Sequence, residues 1–166
     1  MLASGCSAPA ARPSADAAGT DTATTGDGAD GARGGDTGDG CNSVVQVGAT
    51  VTATCAPGGA PAATGGTIAD GVYFLTDSRF FGACPSSALA QTLVVSRGTV
   101  QSIVTMAAGE TLRKSLRYDL LGATMLQTQS CPVNVLTRGT FTATPTTLTI
   151  VVKNALTTRV STFTHL

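Results

Sequence analysis

The chain has 166 residues, of which 42% are hydrophobic, 12% charged and 4% aromatic, and its formal net charge at neutral pH is zero. Without a basic stripe or interleaved aromatic residues, this composition excludes an ordinary nucleic-acid interface. The charge is unevenly spread: residues 7–40 carry six Asp and two Arg, about −4, whereas the rest of the chain is about +4.

The first six residues read MLASGC, with small residues directly before Cys6. This pattern resembles the lipobox of bacterial lipoproteins, although Ala3 stands where that family usually has Leu, Val or Ile. The resemblance implies a lipid on Cys6, export, and anchoring to the cell envelope, with the outer membrane as the expected membrane. A signal peptide needs a charged start and an apolar run of about 7 to 15 residues. We therefore interpret 1–6 as the end of a truncated signal whose true start lies upstream; in the alternative, Cys6 is an ordinary N-terminal residue.

Residues 7–40 contain no Val, Ile, Leu, Met or aromatic residue. Such a stretch cannot bury enough apolar surface to offset the entropy lost on ordering its backbone. Its Asp-Gly pairs lack the spacing of an EF-hand loop. The sequence therefore predicts a disordered acidic tether rather than a calcium site.

Apart from Cys6, the chain has four cysteines, and an even number in a short chain indicates disulfides and an oxidising compartment. The disulfide candidates are Cys41, Cys55, Cys84 and Cys131. No C-x-x-C pair suggests a redox or zinc site. Three connectivities exist, and we favour Cys41 with Cys55 and Cys84 with Cys131. The first pair would make 41–66 a short disulfide-closed hairpin followed by a loose linker, 56–66.

From residue 67 onward, short apolar runs alternate with turn signals every 8 to 14 residues. This rhythm is typical of an all-β barrel or sandwich. The predicted fold is an antiparallel meander of about eight strands that closes, or nearly closes, into a barrel over 67–166. The predicted strands are 71–77, 90–96, 99–107, 111–120, 124–130, 136–144, 147–153 and 159–166.

Within these strands, alternate residues form one apolar face and one polar face. We predict that the apolar face lines the barrel interior and, if the interior is open, a ligand cavity. The candidate lining residues are Val72, Phe74, Leu93, Val95, Val104, Leu116, Tyr118, Phe141, Leu148 and Ile150. On the opposite parity, Arg113, Ser115 and Arg117 share one face, which we interpret as a solvated sheet face rather than an anion or headgroup contact.

The chain resembles small lipocalin-like bacterial lipoproteins of uncharacterised function. The resemblance is carried by the lipidated Cys, the low-complexity tether, the segment IADGVYF at 68–74 and the segment GTFTATPTTLTI at 139–150. Lipocalins open with G-x-W, and Gly71 to Tyr73 occupies that place with Tyr for Trp. The resemblance implies a lipocalin-like barrel. An architecture does not fix a function.

Catalytic patterns are weak in this sequence. Its only histidine is His165, beside the C-terminus. A side chain in that place is rarely oriented firmly enough to act as the general base that activates a nucleophile. The carboxylates after the tether are dispersed, and no metal-ligand cluster, P-loop or dinucleotide fingerprint occurs. We therefore expect no enzyme, no cofactor, no metal and no nucleic-acid partner.

Two hypotheses for the function remain. The first is a non-catalytic interaction or structural module at the cell envelope, anchored to the membrane by the lipid on Cys6 and contacting a protein partner. The alternative is a barrel that binds a small apolar ligand, because eight strands leave room for either packed side chains or one ligand. Whether the interior is filled or open decides between them.

Overall fold

A computed structural model describes residues 36–37 and 40–166, and all regular secondary structure in this part is β. Cys6 and nearly all of the predicted tether lie outside the described residues. The described part contains no helix long and apolar enough to cross a membrane. Its strands are β1 Asp36–Thr37, β2 Val51–Thr52, β3 Thr54–Cys55, β4 Gly71–Gly82, β5 Ala88–Ser96, β6 Thr99–Met106, β7 Thr111–Leu121, β8 Thr124–Cys131, β9 Val135–Ala143, β10 Thr147–Lys153 and β11 Thr157–His165.

Strands β4 to β11 form a closed eight-stranded antiparallel barrel. Each pairs with the next along the chain, and β11 returns to pair with β4 over nine residue pairs. The predicted all-β fold and the eight-stranded barrel are thus confirmed. β10 has the predicted bounds, whereas β4 runs five residues beyond its predicted end at Asp77. A bulge at Thr76 accounts for the extension: Leu75 pairs with Phe163 and Asp77 with Thr162, so the alternation shifts and the strand continues.

The wall between β4 and β5 is completed by the short strands that precede the barrel. β4 and β5 pair directly only where 71–74 meets 92–95. Beyond that point the two strands separate, β2 pairs with β5, and β3 pairs with β4 in parallel. Residues 51–55 therefore belong to the barrel wall, which is why they do not fold into the separate hairpin that the sequence suggested.

The four candidate cysteines form two disulfides, but the favoured pairing was wrong. Cys41 is bonded to Cys131 and Cys55 to Cys84. The reason lies in the neighbours of each cysteine. β3 lies along β4, whose following loop carries Cys84. Cys41 lies over β7, where its carbonyl accepts a 2.7 Å hydrogen bond from Ser115 Oγ, and Ser115 pairs with Cys131 across the sheet.

Residues 41–48 cover the outer face of β5 to β7. Asn42 Nδ2 donates to the carbonyl of Lys114 at 2.8 Å, and Val44 is buried. Arg113 Nη1 donates to the carbonyl of Val44 at 2.6 Å. Arg113 and Ser115 therefore hold the N-terminal segment instead of forming a solvated face, and only Arg117 of that row is exposed.

Residues 56–66, which we call the strap, are fixed to the barrel at both ends. The amide of Ala56 donates to the carbonyl of Phe80 at 2.9 Å. At the other end, Gly65 donates to the carbonyl of Phe141 and accepts from the amide of Ala143, both at 2.8 Å. The predicted loose linker is thus hydrogen-bonded to β4 and β9. Residues 66–70 then cross one end of the barrel, where Ile68 packs against the core, and lead into β4.

The two ends of the barrel differ. At what we call the capped end lie residues 66–70 and the turns at 97–98, 122–123 and 144–146. At the opposite end, the disulfide end, lie the loops at 83–87, 107–110, 132–134 and 154–156, together with both disulfides. The hydrophobic core fills the interior towards the capped end, where Phe141, Tyr73 and Leu75 are at most 1% exposed.

Candidate functional site

A cavity of about 360 Å³ lies inside the barrel. Small-molecule sites range from about 300 to 1,000 Å³, so this volume suits one small ligand. Side chains from every barrel strand except β9 form its wall. The lining residues are Ile68, Phe80, Gln91, Leu93, Val95, Val100, Tyr118, Met125, Gln127, Leu148, Ile150, Val152, Asn154, Thr157, Arg159, Ser161 and Phe163.

The cavity has an apolar end and a polar end. Towards the capped end it is bounded by aliphatic and aromatic side chains, among them Ile68, Val95 and Val100. Towards the disulfide end it is bounded by Thr157, Arg159 and Asn154. Asn154 is exposed, so the cavity reaches the surface at the disulfide end. A molecule with one polar and one apolar end matches this gradient.

Arg159 is the only charged residue among the described residues that form the cavity wall. Its position on β11, opposite Phe80 of β4, directs it to the inside of the barrel. Arg159 Nε donates to Ser78 Oγ at 3.3 Å, and the guanidinium carbon lies 5.9 Å from the centroid of the Phe80 ring. Its Nη2 is buried without a hydrogen-bond partner among the described residues. Burial lowers the pKa of the guanidinium, yet arginine stays protonated in proteins.

No carboxylate within residues 40–166 compensates this charge. Asp77 pairs with Arg79 at 2.8 Å on the outer surface. Asp70 accepts a 3.0 Å hydrogen bond from the amide of Arg97 at the capped end. Neither of these, nor Glu110 or Asp119, contributes to the cavity wall. The polar end of the cavity is therefore electropositive.

Two tyrosines lie at the apolar end. Tyr118 lines the cavity, and Tyr73 donates its hydroxyl proton to the carbonyl of Ala69 at 2.9 Å, which ties residues 66–70 to the barrel. Burial, followed by the nearby charge of Asp70, raises the pKa of Tyr118. Burial is also the largest cause of the raised pKa of Tyr73. Both phenols are thus held neutral over a wider pH range than in water.

The structure brings together half of the predicted lining residues. Leu93, Val95, Tyr118, Leu148 and Ile150 line the cavity. Three more, Val104, Leu116 and Phe141, belong to the surrounding hydrophobic core without lining it.

Val72 and Phe74 lie on the outer face of β4, so their predicted place in the lining was wrong. Tyr73 and Leu75, each 1% exposed, occupy the inner face instead. Because four consecutive residues of this strand are hydrophobic, the sequence pattern left the choice of face open. Packing decides which face is inside, because the hydrophobic core contains the ring of Tyr73, which is larger than that of Phe74.

Sequence reasoning missed Arg159, the residue that gives the cavity its charge. A signal for it was present: Arg159 has the same parity as Ser161 and Phe163, and Phe163 is the only large hydrophobic residue of β11 besides Val160. Because Arg159 is the first residue of the predicted strand, the sequence pattern did not distinguish it from the other basic residues, which are scattered along the chain.

The lone histidine, His165, has a packing role at the end of β11. Its ring stacks on that of Tyr73, with centroids 4.6 Å apart. It also occupies the space beside Gly71, where any Cβ would collide with the imidazole. Its Nδ1 lies 3.3 Å from the carbonyl oxygen of Pro145. These contacts fasten the last strand to the capped end.

Comparison with protein-family models, with curated proteins and with solved structures finds no match to this chain. The features of the molecule that bear on its function are therefore the barrel, its cavity and the charge of Arg159.

Proposed function

We propose that this protein is a non-catalytic binding module that holds a small, largely apolar ligand inside its barrel. The observation that carries the proposal is the cavity of about 360 Å³ in a closed barrel, lined mainly by hydrophobic side chains. A purely structural barrel has no need of such a volume, because close packing would make it more stable. The cavity therefore favours ligand binding over the purely structural hypothesis.

The expected affinity follows from the surface that a ligand would bury. Burial of about 300 Å² of apolar ligand surface contributes roughly 7 kcal/mol. The loss of translational and rotational freedom on association opposes this gain. A ligand of this size without a polar anchor should thus bind with a dissociation constant in the micromolar range or weaker.

We also propose that the module is exported and held at the cell envelope by a lipid on Cys6. Its support is the partial lipobox together with two disulfides, which suit an oxidising compartment. The test is fractionation of cells that express the protein from its native gene. The parent should sediment with membranes, and the Cys6→Ala variant should not. An unchanged distribution of the variant would contradict lipid anchoring.

Two neighbouring valines on β10 provide a matched test of the cavity. Val152 lines the cavity, whereas Val151 lies on the opposite face of the same strand, and both are half-buried. Val152→Trp places an indole in the cavity, while Val151→Trp adds the same group outside. We expect Val152→Trp to abolish the fluorescence enhancement of the neutral dye N-phenylnaphthylamine, and Val151→Trp to retain it.

The folded state of each variant is checked by circular dichroism and thermal unfolding. Equal dye binding by both folded variants would overturn the cavity as the binding site. Absence of dye uptake by the parent, together with no small molecule released on organic extraction of the purified protein, would overturn the proposed function itself.

A further inference from the structure

We propose that the ligand is an anionic amphiphile whose single negatively charged head group, a carboxylate, is held by Arg159, with its apolar tail pointing to Ile68. This inference rests on the proposed function and names the chemical class of its ligand. It begins from a cation inside the barrel that no described residue neutralises.

Arg159 has unmet hydrogen-bonding capacity. Nε donates to Ser78 Oγ, whereas Nη2 is buried with no acceptor among the described residues. A buried donor without an acceptor destabilises a fold, and the charge of this half-buried side chain is partly removed from water without an opposite charge beside it, which adds to that cost. A ligand that supplies both an acceptor and a negative charge removes both costs at once.

The shape of the guanidinium suits a carboxylate, because its terminal nitrogens form a planar fork that matches the two oxygens of that group. Because Ser78 occupies Nε, the fork that remains is the end of the group. The guanidinium carbon lies 5.9 Å from the centroid of the Phe80 ring, within the range of a cation–π contact. The head group is thus expected to bind through two parallel hydrogen bonds.

The number of charges in the cavity also bears on the head group. Arg159 is the only cation among the described lining residues, and none of the acidic residues of 40–166 lines the cavity. One guanidinium balances one negative charge. A head group with two negative charges, such as a phosphate monoester, would remain under-compensated in a low-dielectric interior. A carboxylate is therefore favoured over a phosphate.

The polarity of the wall gives the ligand a direction. Beyond Arg159 and Ser161, towards the capped end, the wall is mainly hydrophobic, with side chains such as Val95, Val100 and Phe163. At the disulfide end, Asn154 is exposed. An amphiphile fits this arrangement with its tail in the deep end and its head at Arg159, on the side from which it enters.

The test compares ligands that share one tail and differ only in the head group. Laurate, dodecanol, dodecyl phosphate and dodecyltrimethylammonium compete with N-phenylnaphthylamine for the full folded protein, each below its micellar concentration. We expect laurate to bind about tenfold or more tightly than dodecanol, as a charge-assisted hydrogen-bond pair predicts. The cationic amphiphile should bind most weakly.

Variants of Arg159 test whether this residue causes the preference for laurate over dodecanol. Arg159→Gln should bind dodecanol as the parent does and lose the preference for laurate, and Arg159→Lys should keep part of it. Arg138→Gln removes the same charge from an exposed, outward position on β9 and serves as the matched control. Its preference for laurate should equal that of the parent.

The outcomes separate the two proposals. Equal affinity of the parent for laurate and dodecanol would overturn the inference and leave the proposed function standing, whereas binding of none of the four amphiphiles would overturn both. Tighter binding of dodecyl phosphate than of laurate would overturn the assignment of a singly charged head. Because the head-group comparison is made in the parent, it remains decisive even if Arg159→Gln fails to fold.

Discussion

Arg159 and Phe80 lie directly opposite each other on two paired strands, and the guanidinium carbon is 5.9 Å from the ring centroid. A cation over an aromatic ring gains about 0.5 to 2 kcal/mol, depending on its desolvation. This contact offsets only part of the cost of burying a charge whose Nη2 has no acceptor. The buried position of Arg159 therefore costs stability, a conflict that is common at functional sites and agrees with the proposed role of this residue in binding.

Arg159→Met tests this conflict directly. Methionine has a similar reach, can contact the Phe80 ring through its sulfur, and needs no hydrogen-bond acceptor. We expect the free energy of unfolding in urea to be equal to that of the parent or about 1 kcal/mol higher. A fall of more than about 1 kcal/mol would show that Arg159 is retained for the stability of the barrel.

Gly66 lies where the strap reaches the capped end, and a substitution there tests how closely the chain approaches β9. Its φ is +123°, and a Cβ there would lie 2.5 Å from the carbonyl oxygen of Ala143. Gly66→Ala should therefore reduce the free energy of unfolding by about 1 to 3 kcal/mol, because it adds backbone strain to a collision with β9.

The matched control is Gly59→Ala in the same strap, where a Cβ would meet nothing within 4 Å. This substitution should be neutral or slightly stabilising, since it restricts the unfolded chain alone. Similar losses in the two variants, measured by urea unfolding, would contradict the close approach of Gly66 to β9.

The disulfide pairing can be checked by trypsin digestion without reduction, followed by mass spectrometry. No Lys or Arg lies between Arg33 and Arg79, so one peptide, 34–79, carries both Cys41 and Cys55. The pairs in the structure link this peptide to 80–97 and to 118–138, which gives a single species of three peptides. Pairing of Cys41 with Cys55 would instead leave 34–79 alone.

A double variant settles the remaining connectivity. With Cys55→Ser and Cys84→Ser, peptide 34–79 should be linked only to 118–138, through Cys41 and Cys131. Two unlinked peptides from the folded variant would contradict this pairing.

Alkaline pH should weaken the barrel through its tyrosines. Burial raises the pKa of Tyr73 and of Tyr118 above the ordinary value of about 10. The native state keeps these protons when the unfolded chain has already lost them, so the stabilising contribution is complete below about pH 10 and is lost as the pH rises through the native pKa values.

The measurement is the tyrosinate absorbance, which reports on only two tyrosines in the whole chain. Both should ionise above pH 10 in the native protein. Tyr118→Phe should leave one titrating group and reduce the loss of unfolding free energy at high pH. Ionisation of either group at or below its ordinary pKa in the folded parent would contradict the burial of these phenols.

The sequence predicted the barrel strands well because turns and alternation are local properties. β10 has its predicted bounds, and most of the other barrel strands differ by one or two residues at an end. β4 is the exception, since the bulge at Thr76 that lengthens it depends on its pairing with β11. The inner positions of Leu93 and Leu148 were predictable because they lie in strands with clear alternation. The face of Val72 was not, because it lies in a run of hydrophobic residues.

Residue order by itself determined an all-β fold, a row of apolar positions for a core, and four cysteines ready to form disulfides. Only the tertiary structure decided which cysteines meet, because Cys41 and Cys131 are 90 positions apart in sequence and are brought together by the strands that neighbour each of them. It also decided that Arg159 faces inward and that none of the acidic residues of 40–166 lines the cavity beside it. Burial and charge compensation depend on neighbours that are distant in sequence. The inward position of this arginine could therefore be recognised only from the closed barrel and not from the sequence.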